Sequence, residues 1–527
     1  MIFAPRTMTD EKRVGASADP QIFRLVAWLL ALFAACVALD TRHNGFPYFY
    51  HPDEPTKVEQ VLSGEWNFHH PMLLLSATKA AVETLGVTKS EQSVAEAGRW
   101  VSAVFTAGAV VALALLAYAW RGWTASLATG GALLLHHQLF ELAHYMKEDS
   151  ALLLGVALSF LATHAFWQKP NARRAALLGA AVAVAISGKY IGVCMLAVAL
   201  PVLWCAPGER GKRAACFCAA LGAVLLVVNL PLLLHLGAFE KSFDREMQAV
   251  VHGQRGMTRS VPHTQYWNIF RDNSTPVGWV LLVVFLAARW RGRRAVSLAE
   301  WLVIAFPFAY ALALSFSPKS NDRYFLPATA VITLLAALGA VDAARLLARW
   351  VPLRWALAGC TAALIVSEAV SLPPPLDWHT FPEFLAAFQH DDNTDFIAWI
   401  KANLPADAVI AKDSRIQLPD PGNEKDRLRF APMSQKILAD RFVADLGTMA
   451  ELRARGVTHL AVSASDYGRF LMRGLVPQKG EHESFERRKA FYEELLRDGE
   501  LIFPRERGAV LYLHPGIRLY RMPPVED

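Results

Sequence analysis

Residues 98–119, GRWVSAVFTAGAVVALALLAYA, are the stretch of sequence from which the architecture is first apparent. Only Arg99, next to its start, is charged. A helix needs about 20 largely apolar residues to cross the hydrocarbon core of a bilayer. The stretch is therefore predicted to span a membrane. Similar runs recur along most of the chain, so the sequence predicts a polytopic α-helical membrane protein.

About eleven apolar runs are predicted to span the membrane. They are residues 22–40, 98–119, 124–143, 149–167, 173–188, 190–206, 214–236, 275–290, 298–316, 324–347 and 354–372. The fifth and sixth runs are short and meet at Ser187-Gly188-Lys189-Tyr190. Glycine and polar residues at that junction indicate a tight surface turn.

The chain divides into an apolar part and a polar part. Of its 527 residues, 54% are hydrophobic and only 19% are charged, whereas soluble domains carry about 25% charged residues. We predict a cytoplasmic tail (1–21), a membrane unit (22–375) and a small soluble α/β domain (376–527). Pro373-Pro374-Pro375 is a predicted stiff linker between the last two. Predicted strands in the soluble domain are 408–411, 458–463, 501–503, 509–513 and 517–521, and predicted helices are 393–403, 448–455 and 484–497.

Basic residues predict how the chain is oriented. Alternate connections are rich in cations: Lys12, Arg13 and Arg24; Arg121; Lys169, Arg173 and Arg174; Arg210, Lys212 and Arg213; Arg289, Arg291, Arg293 and Arg294; Arg345, Arg349 and Arg354. The short turns between them carry only Lys147, Lys189, or the pair Lys319 and Arg323. Cation-rich loops stay in the cytoplasm. The first outer loop (41–97), the loop 237–274 and the soluble domain are therefore predicted to face the periplasm or exterior of an inner, cytoplasmic membrane.

The first outer loop carries an acidic pair among histidines. It contains Phe49-Tyr50-His51-Pro52-Asp53-Glu54-Pro55 and then Phe68-His69-His70-Pro71, and apolar residues recur at helical spacing from Met72 to Leu85. A carboxylate in a partly dry site can take a proton from a hydroxyl nucleophile. Asp53, Glu54 and His70 are also candidate ligands for a divalent cation such as Mg²⁺ or Mn²⁺. The structural alternative is that Asp53 caps a helix that begins at Pro55.

Three outer turns supply cations. His144-Tyr145-Met146-Lys147-Glu148-Asp149 precedes the fourth span, Lys189-Tyr190 precedes the sixth, and Arg323-Tyr324 leads into the tenth. Singly, each has a structural interpretation: Asp149 caps a helix, Lys147 extends to the interface, and Arg323 pairs with Asp322. Together, cations on one face suit a bound phosphate. The net charge of +6 is modest and no long basic run is present, so nucleic acid is not an expected partner.

These motifs resemble a known family. The acidic pair Asp53-Glu54, the Phe68–Pro71 motif, the turn Tyr145–Asp149 and Arg323-Tyr324 are similar to those of the C-type glycosyltransferases that use polyprenyl-phosphate sugars, in particular the protein O-mannosyltransferase and aminoarabinose-transferase type. The resemblance spans residues 22 to about 347. The ending Pro515–Arg521 also resembles the tail of bacterial members.

The resemblance implies an inverting sugar transfer and a role for each site residue. Asp53 is then the general base and Glu54 its partner, which orients the acceptor or a metal. Lys147, Lys189 and Arg323 hold the leaving phosphate. His51, His69, His70, Asp149, Tyr190 and Tyr324 line the donor and acceptor pocket. The expected partners are the lipid bilayer, a polyprenyl-phosphate sugar, and an acceptor that is a protein, a lipid or a cell-envelope glycan.

Two departures and two rival functions remain. Members of the aminoarabinose type often have lysine where this chain has His70, and the mannosylating type of eukaryotes carries a different soluble insert, so the sugar and the acceptor stay open. An O-antigen polymerase or ligase would use an arginine-rich late loop, and the 237–274 loop contains Arg245, Arg255, Arg259 and Arg271. A transporter of lipid-linked glycans would show mid-membrane charges or an internal repeat, and neither is visible. The soluble domain is interpreted as an acceptor-binding module or a lid.

Overall fold

The computed structural model describes residues 20–253, 258–292, 296–319, 321–372, 380–419, 429–504 and 512–522. The membrane unit in these ranges is helical. Its helices are α1 Pro20–Asp40, α2 Glu54–Ser63, α3 Leu73–Thr84, α4 Glu91–Arg121, α5 Trp123–Leu134, α6 His137–Ala143, α7 Glu148–Gln168, α8 Ala172–Gly188, α9 Leu196–Cys205, α10 Arg210–Val228, α11 Leu230–Leu234, α12 Leu236–His252, α13 Pro262–Asp272, α14 Pro276–Arg291, α15 Leu298–Ser315, α16 Leu326–Leu347 and α17 Leu353–Val370. Two short 3₁₀ turns, Tyr190–Met195 and Asp322–Phe325, precede α9 and α16.

The predicted polytopic helical class is confirmed, and each predicted span contains a helix. By length and apolar composition, seven helices in the described ranges are long enough to cross a membrane: those at Pro20–Asp40, Glu91–Arg121, Glu148–Gln168, Arg210–Val228, Leu298–Ser315, Asp322–Leu347 and Leu353–Val370. An eighth is added if Pro262–Asp272 and Pro276–Arg291, bent by 105°, form one broken span. The remaining predicted spans are shorter or interrupted helices.

Three of the predicted spans are interrupted. The run 214–236 breaks at Asn229, between α10 and α11, and the other two break for local reasons. The run 124–143 divides into α5 and α6 because the His136 side chain accepts a hydrogen bond from the Gln138 amide and begins a new helix. The run 190–206 begins as a 3₁₀ turn, and Pro201 lies inside α9. The prediction of single unbroken helices at these places was therefore wrong, and the breaks bring polar side chains to the end of the bundle.

Helix starts follow the capping rules of the sequence. Ser90 accepts a hydrogen bond from the Ser93 amide at the start of α4, and Asn171 accepts one from the Arg174 amide at the start of α8. Ser297 and Glu300 form a capping box at α15. Each side-chain oxygen satisfies an amide that has no partner within its helix. These caps fix where the membrane helices begin and therefore where the intervening turns lie.

Small residues bring α7 and α8 into close contact. A Cβ on Gly155 of α7 would lie 2.2 Å from the Ala185 backbone of α8, and a Cβ on Gly188 would lie 2.6 Å from the Ala151 and Leu152 backbone. Small residues allow such close approach in membrane bundles. The N-terminal end of α7 therefore lies beside the C-terminal end of α8, where Lys189 follows.

The soluble domain is α/β, as predicted. Strand β1 Thr258–Ser260 lies in the 237–274 loop and pairs with this domain. The strands of the domain itself are β2 Val409–Asp413, β3 Lys436–Asp440, β4 His459–Ser463, β5 Leu475–Pro477, β6 Glu500–Pro504 and β7 Ile517–Arg521. Its helices are α18 Phe381–Ala386, α19 Asp392–Asn403, α20 Met449–Ala454, α21 Ala464–Leu471 and α22 His482–Asp498. The main sheet has the order β3-β2-β4-β7-β6, with β2 parallel to β3 and β4 and the other pairs antiparallel.

Some details of this domain differ from the sequence-based prediction. Strands β3 and β5 were missed. The predicted strand 509–513 is wrong where it is described, because Tyr512 and Leu513 form a turn, and its first three residues lie outside the described ranges, as do the linker Pro373-Pro374-Pro375 and most of the N-terminal tail. Tyr512 has a φ of +66°, which a strand does not accommodate.

The soluble domain packs on the outer loops of the membrane unit. Phe140 of α6 contacts the rings of Phe381, Phe384 and Phe388. The Tyr50 hydroxyl donates to Asp391 Oδ1 at 2.9 Å. Strand β1, in the 237–274 loop, pairs antiparallel with β5 of the soluble domain. The domain thus contacts the first loop, α6 and the 237–274 loop at the same end of the bundle.

Candidate functional site

A cavity of about 690 Å³ opens at the end of the bundle where the outer loops and turns meet. Its lining is Pro52, Asp53, Thr56, Lys57, Gln60, Asn67, His69, His70, Leu75, Lys147, Glu148, Asp149, Lys189, Arg245, Glu246, Gln248, Ala249, His252, Gly253, Lys319, Arg323 and Tyr324. Six of these side chains are cations and four are carboxylates. Most predicted site residues are therefore together in one place, although they lie far apart in sequence.

Asp53 occupies the N-cap position of α2, but its side chain makes no capping hydrogen bond. The carboxylate instead forms ion pairs with Lys147 and, at 3.5 Å, with Arg323 Nη1. Its side chain is 42% exposed, so a substrate can reach it. Burial by itself would raise the pKa of Asp53, but the charge of Lys147, followed by other nearby cations, outweighs burial and holds that pKa well below its usual range.

Three consecutive residues at the start of α7 form ion pairs with three different elements. Lys147 pairs with Asp53 of the first loop. Glu148 accepts from Lys57 of α2 at 2.7 Å. Asp149 accepts from Lys189, which follows α8, at 2.6 Å. These side chains are almost fully buried apart from Asp53, and each pair links a separate element to the cavity. Asp149 therefore does not act as the helix cap of the structural alternative.

Lys189, Arg323 and Tyr324 form the far wall of the cavity. Lys189 Nζ lies 4.6 Å from the centroid of the Tyr324 ring, and the Arg323 guanidinium carbon lies 5.5 Å from the same ring. Arg323 Nε is buried and has no hydrogen-bond partner in the described ranges. Arg323 pairs across the bundle with Asp53, and not with its neighbour Asp322 as the structural alternative proposed. The three predicted phosphate-binding cations thus face one space.

Glu54 does not line the cavity. Its carboxylate is fully buried and accepts two hydrogen bonds from Arg99, at 3.0 and 2.6 Å, and one from the Met146 amide at 2.9 Å. Arg99 also donates to the carbonyl of Phe46 at 2.7 Å. These hydrogen bonds fix the first outer loop against α4 and the turn between α6 and α7. The predicted role of Glu54, to orient the acceptor or a metal, does not fit this position.

The other predicted pocket residues are divided between the cavity and its surroundings. His69 and His70 line the cavity, and His70 Nε2 lies 4.0 Å from Glu148. His51 is buried behind Asp53, where its Nδ1 accepts from the Asp53 amide at 3.0 Å, and burial followed by the charge of Lys147 lowers its pKa well below the usual value. Tyr190 stands outside the lining and donates to the Phe68 carbonyl at 2.9 Å.

The side chains predicted as metal ligands do not converge. Asp53 contacts Lys147, Glu54 contacts Arg99, and His70 is next to Glu148. Within the ranges that the structure describes, no group of three or more His, Cys, Asp or Glu side chains is arranged to hold a metal ion. The predicted set of Asp53, Glu54 and His70 does not fit a divalent cation, and no catalytic step is assigned to one.

Sequence reasoning missed Lys57, Glu148, Arg99 and the helix α12. Lys57 and Glu148 stand next to the predicted Glu54 and Lys147 in sequence, but their pairing required the fold. Arg99 is the one charged residue within the predicted span 98–119, which is a usable signal because intramembrane charges need partners. Helix α12 contributes Arg245, from the arginine-rich loop of the rival polymerase interpretation, to the wall of the cavity.

Residues 86–235 match the family described as dolichyl-phosphate-mannose-protein mannosyltransferase. The matched range runs from the end of the first outer loop to α11, so it includes Lys147, Asp149 and Lys189 but neither Asp53 nor Arg323. No curated protein sequence matches the chain at a significant level.

Several solved structures are similar to the chain. ArnT from Cupriavidus metallidurans in the apo state superposes with a TM-score of 0.51 at 15% identity and covers 95% of this chain and 97% of that chain. ArnT from the same organism bound to undecaprenyl phosphate has a TM-score of 0.49 at 16% identity and covers 96% and 98%. Archaeal oligosaccharyltransferase AglB from Archaeoglobus fulgidus has a TM-score of 0.46 at 11% identity and covers 84% and 70%.

The apo ArnT match shows a shared fold over nearly the whole length of both chains. The family match covers the helices that hold Lys147, Asp149 and Lys189 in the cavity. The chain is a multi-pass membrane protein in which the family match and the shared fold fall on the same unit.

Proposed function

We propose that the chain transfers a sugar from polyprenyl phosphate to an acceptor at the 690 Å³ cavity, with inversion at the anomeric carbon and Asp53 as general base. The reaction is placed on the non-cytoplasmic face of the inner membrane. One observation carries the proposal: the Asp53 carboxylate makes no helix cap and extends into the cavity beside Lys147 and Arg323. The acceptor is a protein, a lipid or a cell-envelope glycan.

The cations of the cavity suit the donor phosphate. Lys147, Lys189 and Arg323 approach one space from three elements, and all three are held by carboxylates or an aromatic ring. Side chains fixed in this way need little rearrangement when charge develops. A phosphate at this position would also supply the partner that Arg323 Nε lacks in the described ranges. His69, His70 and Tyr324 then line the donor around the sugar and phosphate.

In the proposed reaction, the acceptor oxygen or nitrogen attacks the anomeric carbon and its proton passes to Asp53. The bond from the anomeric carbon to the phosphate oxygen breaks, and its electron pair stays on the polyprenyl phosphate. Positive charge builds on the sugar and negative charge on the leaving phosphate in the transition state. Lys147, Lys189 and Arg323 stabilise that negative charge. Attack opposite to the leaving group inverts the anomeric centre.

Donor binding adjusts Asp53 for this role. The cations beside Asp53 hold its pKa well below the usual range, and a carboxylate with so low a pKa is a weak base. A phosphate that binds Lys147 and Arg323 compensates the same charges and raises the pKa of Asp53. The base is therefore strengthened only when the donor is present, which limits unproductive chemistry in its absence.

The experiment uses membranes that contain wild-type protein or the Asp53→Asn variant, with a panel of radiolabelled polyprenyl-phosphate sugars. We expect transfer by wild type and a loss of about 10²–10⁴-fold in Asp53→Asn, the usual contribution of a general base. Glu59→Gln, an exposed carboxylate on the same helix, is the matched control and should keep full activity. The fraction that becomes labelled (lipid, protein or polysaccharide) identifies the acceptor class. Equal transfer by wild type and Asp53→Asn would disprove the role of Asp53.

A further inference from the structure

A second cavity of about 270 Å³ lies next to the first and shares Lys147 and Arg323 with it. This volume is close to the lower end of the roughly 300–1,000 Å³ of small-molecule sites. Asp53 contacts both shared cations, so the proposed base lies at the boundary of the two cavities. A group bound in the second cavity therefore lies against the same two cations that Asp53 contacts.

The two cavities differ in charge. The second one contains the carboxylates of Glu141, Asp272 and Asp322, and its only two cations among the lining residues are the shared pair. That pair is already engaged by Asp53. Burial raises the pKa of Glu141 to about 8, and a cation bound beside it would restore its charge. The first cavity therefore suits an anion, whereas the second suits a group that is positively charged or donates hydrogen bonds.

Two side chains of the second cavity offer free acceptor atoms. Glu141 makes no hydrogen bond or ion pair through its carboxylate in the part of the chain that the structure describes. Gln138 is 5% exposed; its Nε2 donates to the Asp322 carbonyl at 3.0 Å, and its Oε1 is buried with no partner among the described residues. A buried acceptor without a donor is costly. Both residues are on α6 and line the cavity.

Aromatic rings complete the walls. Tyr512 of the soluble domain lies 4.6 Å from His51 and 6.3 Å from Tyr145, ring centroid to centroid. Its φ of +66° is unusual for a bulky residue, and such conformations cluster at functional sites. Aromatic faces combined with carboxylates favour ammonium groups. The soluble domain thus supplies one wall of this cavity.

We propose that the second cavity binds the acceptor through a protonated amine, which Glu141 and Gln138 hold while the acceptor's attacking group is directed to Asp53. The inference rests on the proposed function and adds the class of acceptor: a molecule that carries an amine near the group that is glycosylated. It also gives the soluble domain a part in acceptor binding, through Tyr512.

The test measures ligand binding to the full-length protein in lipid nanodiscs by ligand-observed NMR. The probes are glucosamine and N-acetylglucosamine, which differ in the charge at one position. We expect wild type to bind glucosamine about tenfold more tightly or better, the change that a charge-assisted hydrogen bond brings. Glu141→Gln should lose this preference, Gln138→Met should reduce it, and the control Glu59→Gln should keep it.

Binding of a polyprenyl phosphate that carries a neutral sugar is measured in the same samples. It should be unchanged in Glu141→Gln and Gln138→Met, and it should not displace glucosamine from wild type. Displacement would place the amine in the sugar position of the donor and would overturn the inference, as would equal binding of the two probes or a preference that survives both substitutions. The proposed function is judged separately, because only sugar transfer that is absent in wild type or unaffected by Asp53→Asn contradicts it.

Discussion

Adjacent carboxylates in the first outer loop have opposite environments. Glu54 is fully buried against Arg99 on the α4 side of the loop, whereas Asp53 is exposed to the cavity. At the start of a helix, neighbouring side chains diverge by about 100°, since the helix has 3.6 residues per turn. One acid can therefore anchor the loop while the other remains reachable by substrate.

The Glu54–Arg99 pair should dominate the stability of the loop. Glu54→Gln leaves the buried Arg99 charge uncompensated, and removal of one partner of a buried pair costs about 3–5 kcal/mol. We expect a clear loss of thermal stability in detergent, measured as the temperature at which the monodisperse protein disappears. The double variant Glu54→Leu with Arg99→Leu should recover part of it, because no buried charge remains. Asp53→Asn should change thermal stability much less. An equal loss of stability in Glu54→Gln and Asp53→Asn would contradict the assignment of Glu54 as the anchor of the loop.

Lys147 should make donor binding depend on pH. Burial, together with the charge of Arg323, lowers the pKa of Lys147 to about 7. The lysine is therefore protonated below about pH 7 and loses its charge above it. We expect the affinity for a polyprenyl-phosphate sugar, whose diester phosphate does not titrate in this range, to fall between pH 6 and pH 9.

The pH dependence that Lys147 gives to folding stability has the opposite sign to the pH dependence that it gives to donor affinity. The folded-state pKa is below the unfolded value of about 10.4, so the unfolded chain binds more protons between the two values and this lysine adds stability as pH rises through that window. Lys147→Arg, which keeps its charge, is the control. Its donor affinity should be flat from pH 6 to pH 9, and the same fall in both proteins would assign the pH dependence to another group.

The sequence singles out individual residues where it carries their chemistry. Asp53 was singled out as an acid in the first outer loop, and Lys147, Lys189 and Arg323 were singled out as cations in short outer turns. The structure brings these four side chains together. The misplacement of Glu54 has a physical cause: its partner Arg99 is 45 residues away, and no local pattern specifies which of two neighbouring carboxylates faces a distant arginine.

At the scale of elements, the contact of α7 with α8 sets the distance from Asp149 to Lys189. Gly155→Ala would place a Cβ 2.2 Å from the Ala185 backbone, so the helices must separate. Overpacking of this kind costs about 1–3 kcal/mol of folding stability. We expect a clear loss of sugar transfer even where the purified protein stays folded, because the Asp149–Lys189 ion pair lies at the end of the two helices. The readouts are transfer activity and thermal stability of the purified protein.

Gly222→Ala in α10 is the matched control. A Cβ there meets no atom of the described residues within 4 Å, and alanine is favoured over glycine in a helix by about 0.5–1 kcal/mol. This variant should keep wild-type activity. If Gly155→Ala were equally active, close helix contact would not position the site.

Element types followed from the sequence more readily than element ends. Apolar runs gave the membrane helices because hydrophobicity alone identifies them. The short strands β3 and β5 were missed because partly exposed segments of three to five residues carry little periodicity. Helix α12 was not predicted as a wall of the cavity, since its place depends on contacts such as the Lys319–Glu246 ion pair and the pairing of β1 with β5.

At the scale of the whole molecule, charged residues gather at the two ends of the membrane helices. Helix α16 has 22 residues, about 33 Å at 1.5 Å per residue, which matches the roughly 30 Å of a bilayer core. Arg323 and the cavity stand before its first residue. Near its last turn, Asp342 pairs with Arg345 at 3.2 Å and with Arg289 of α14 at 3.6 Å. The cation-rich connections and the cavity are therefore on opposite sides of the membrane unit.

This arrangement predicts that the cavity and the soluble domain lie outside the cytoplasm, because cation-rich ends are retained inside. Alkaline phosphatase needs disulfides that form only in an oxidising compartment, so it reports the side. Fused after Asp527 it should be active, and inserted after Gly208, an exposed loop position between α9 and α10, it should be inactive, each at equal expression and with sugar transfer retained. The reverse pattern would put the cavity in the cytoplasm, where the donor sugar would have to be transferred before the polyprenyl lipid is flipped across the membrane.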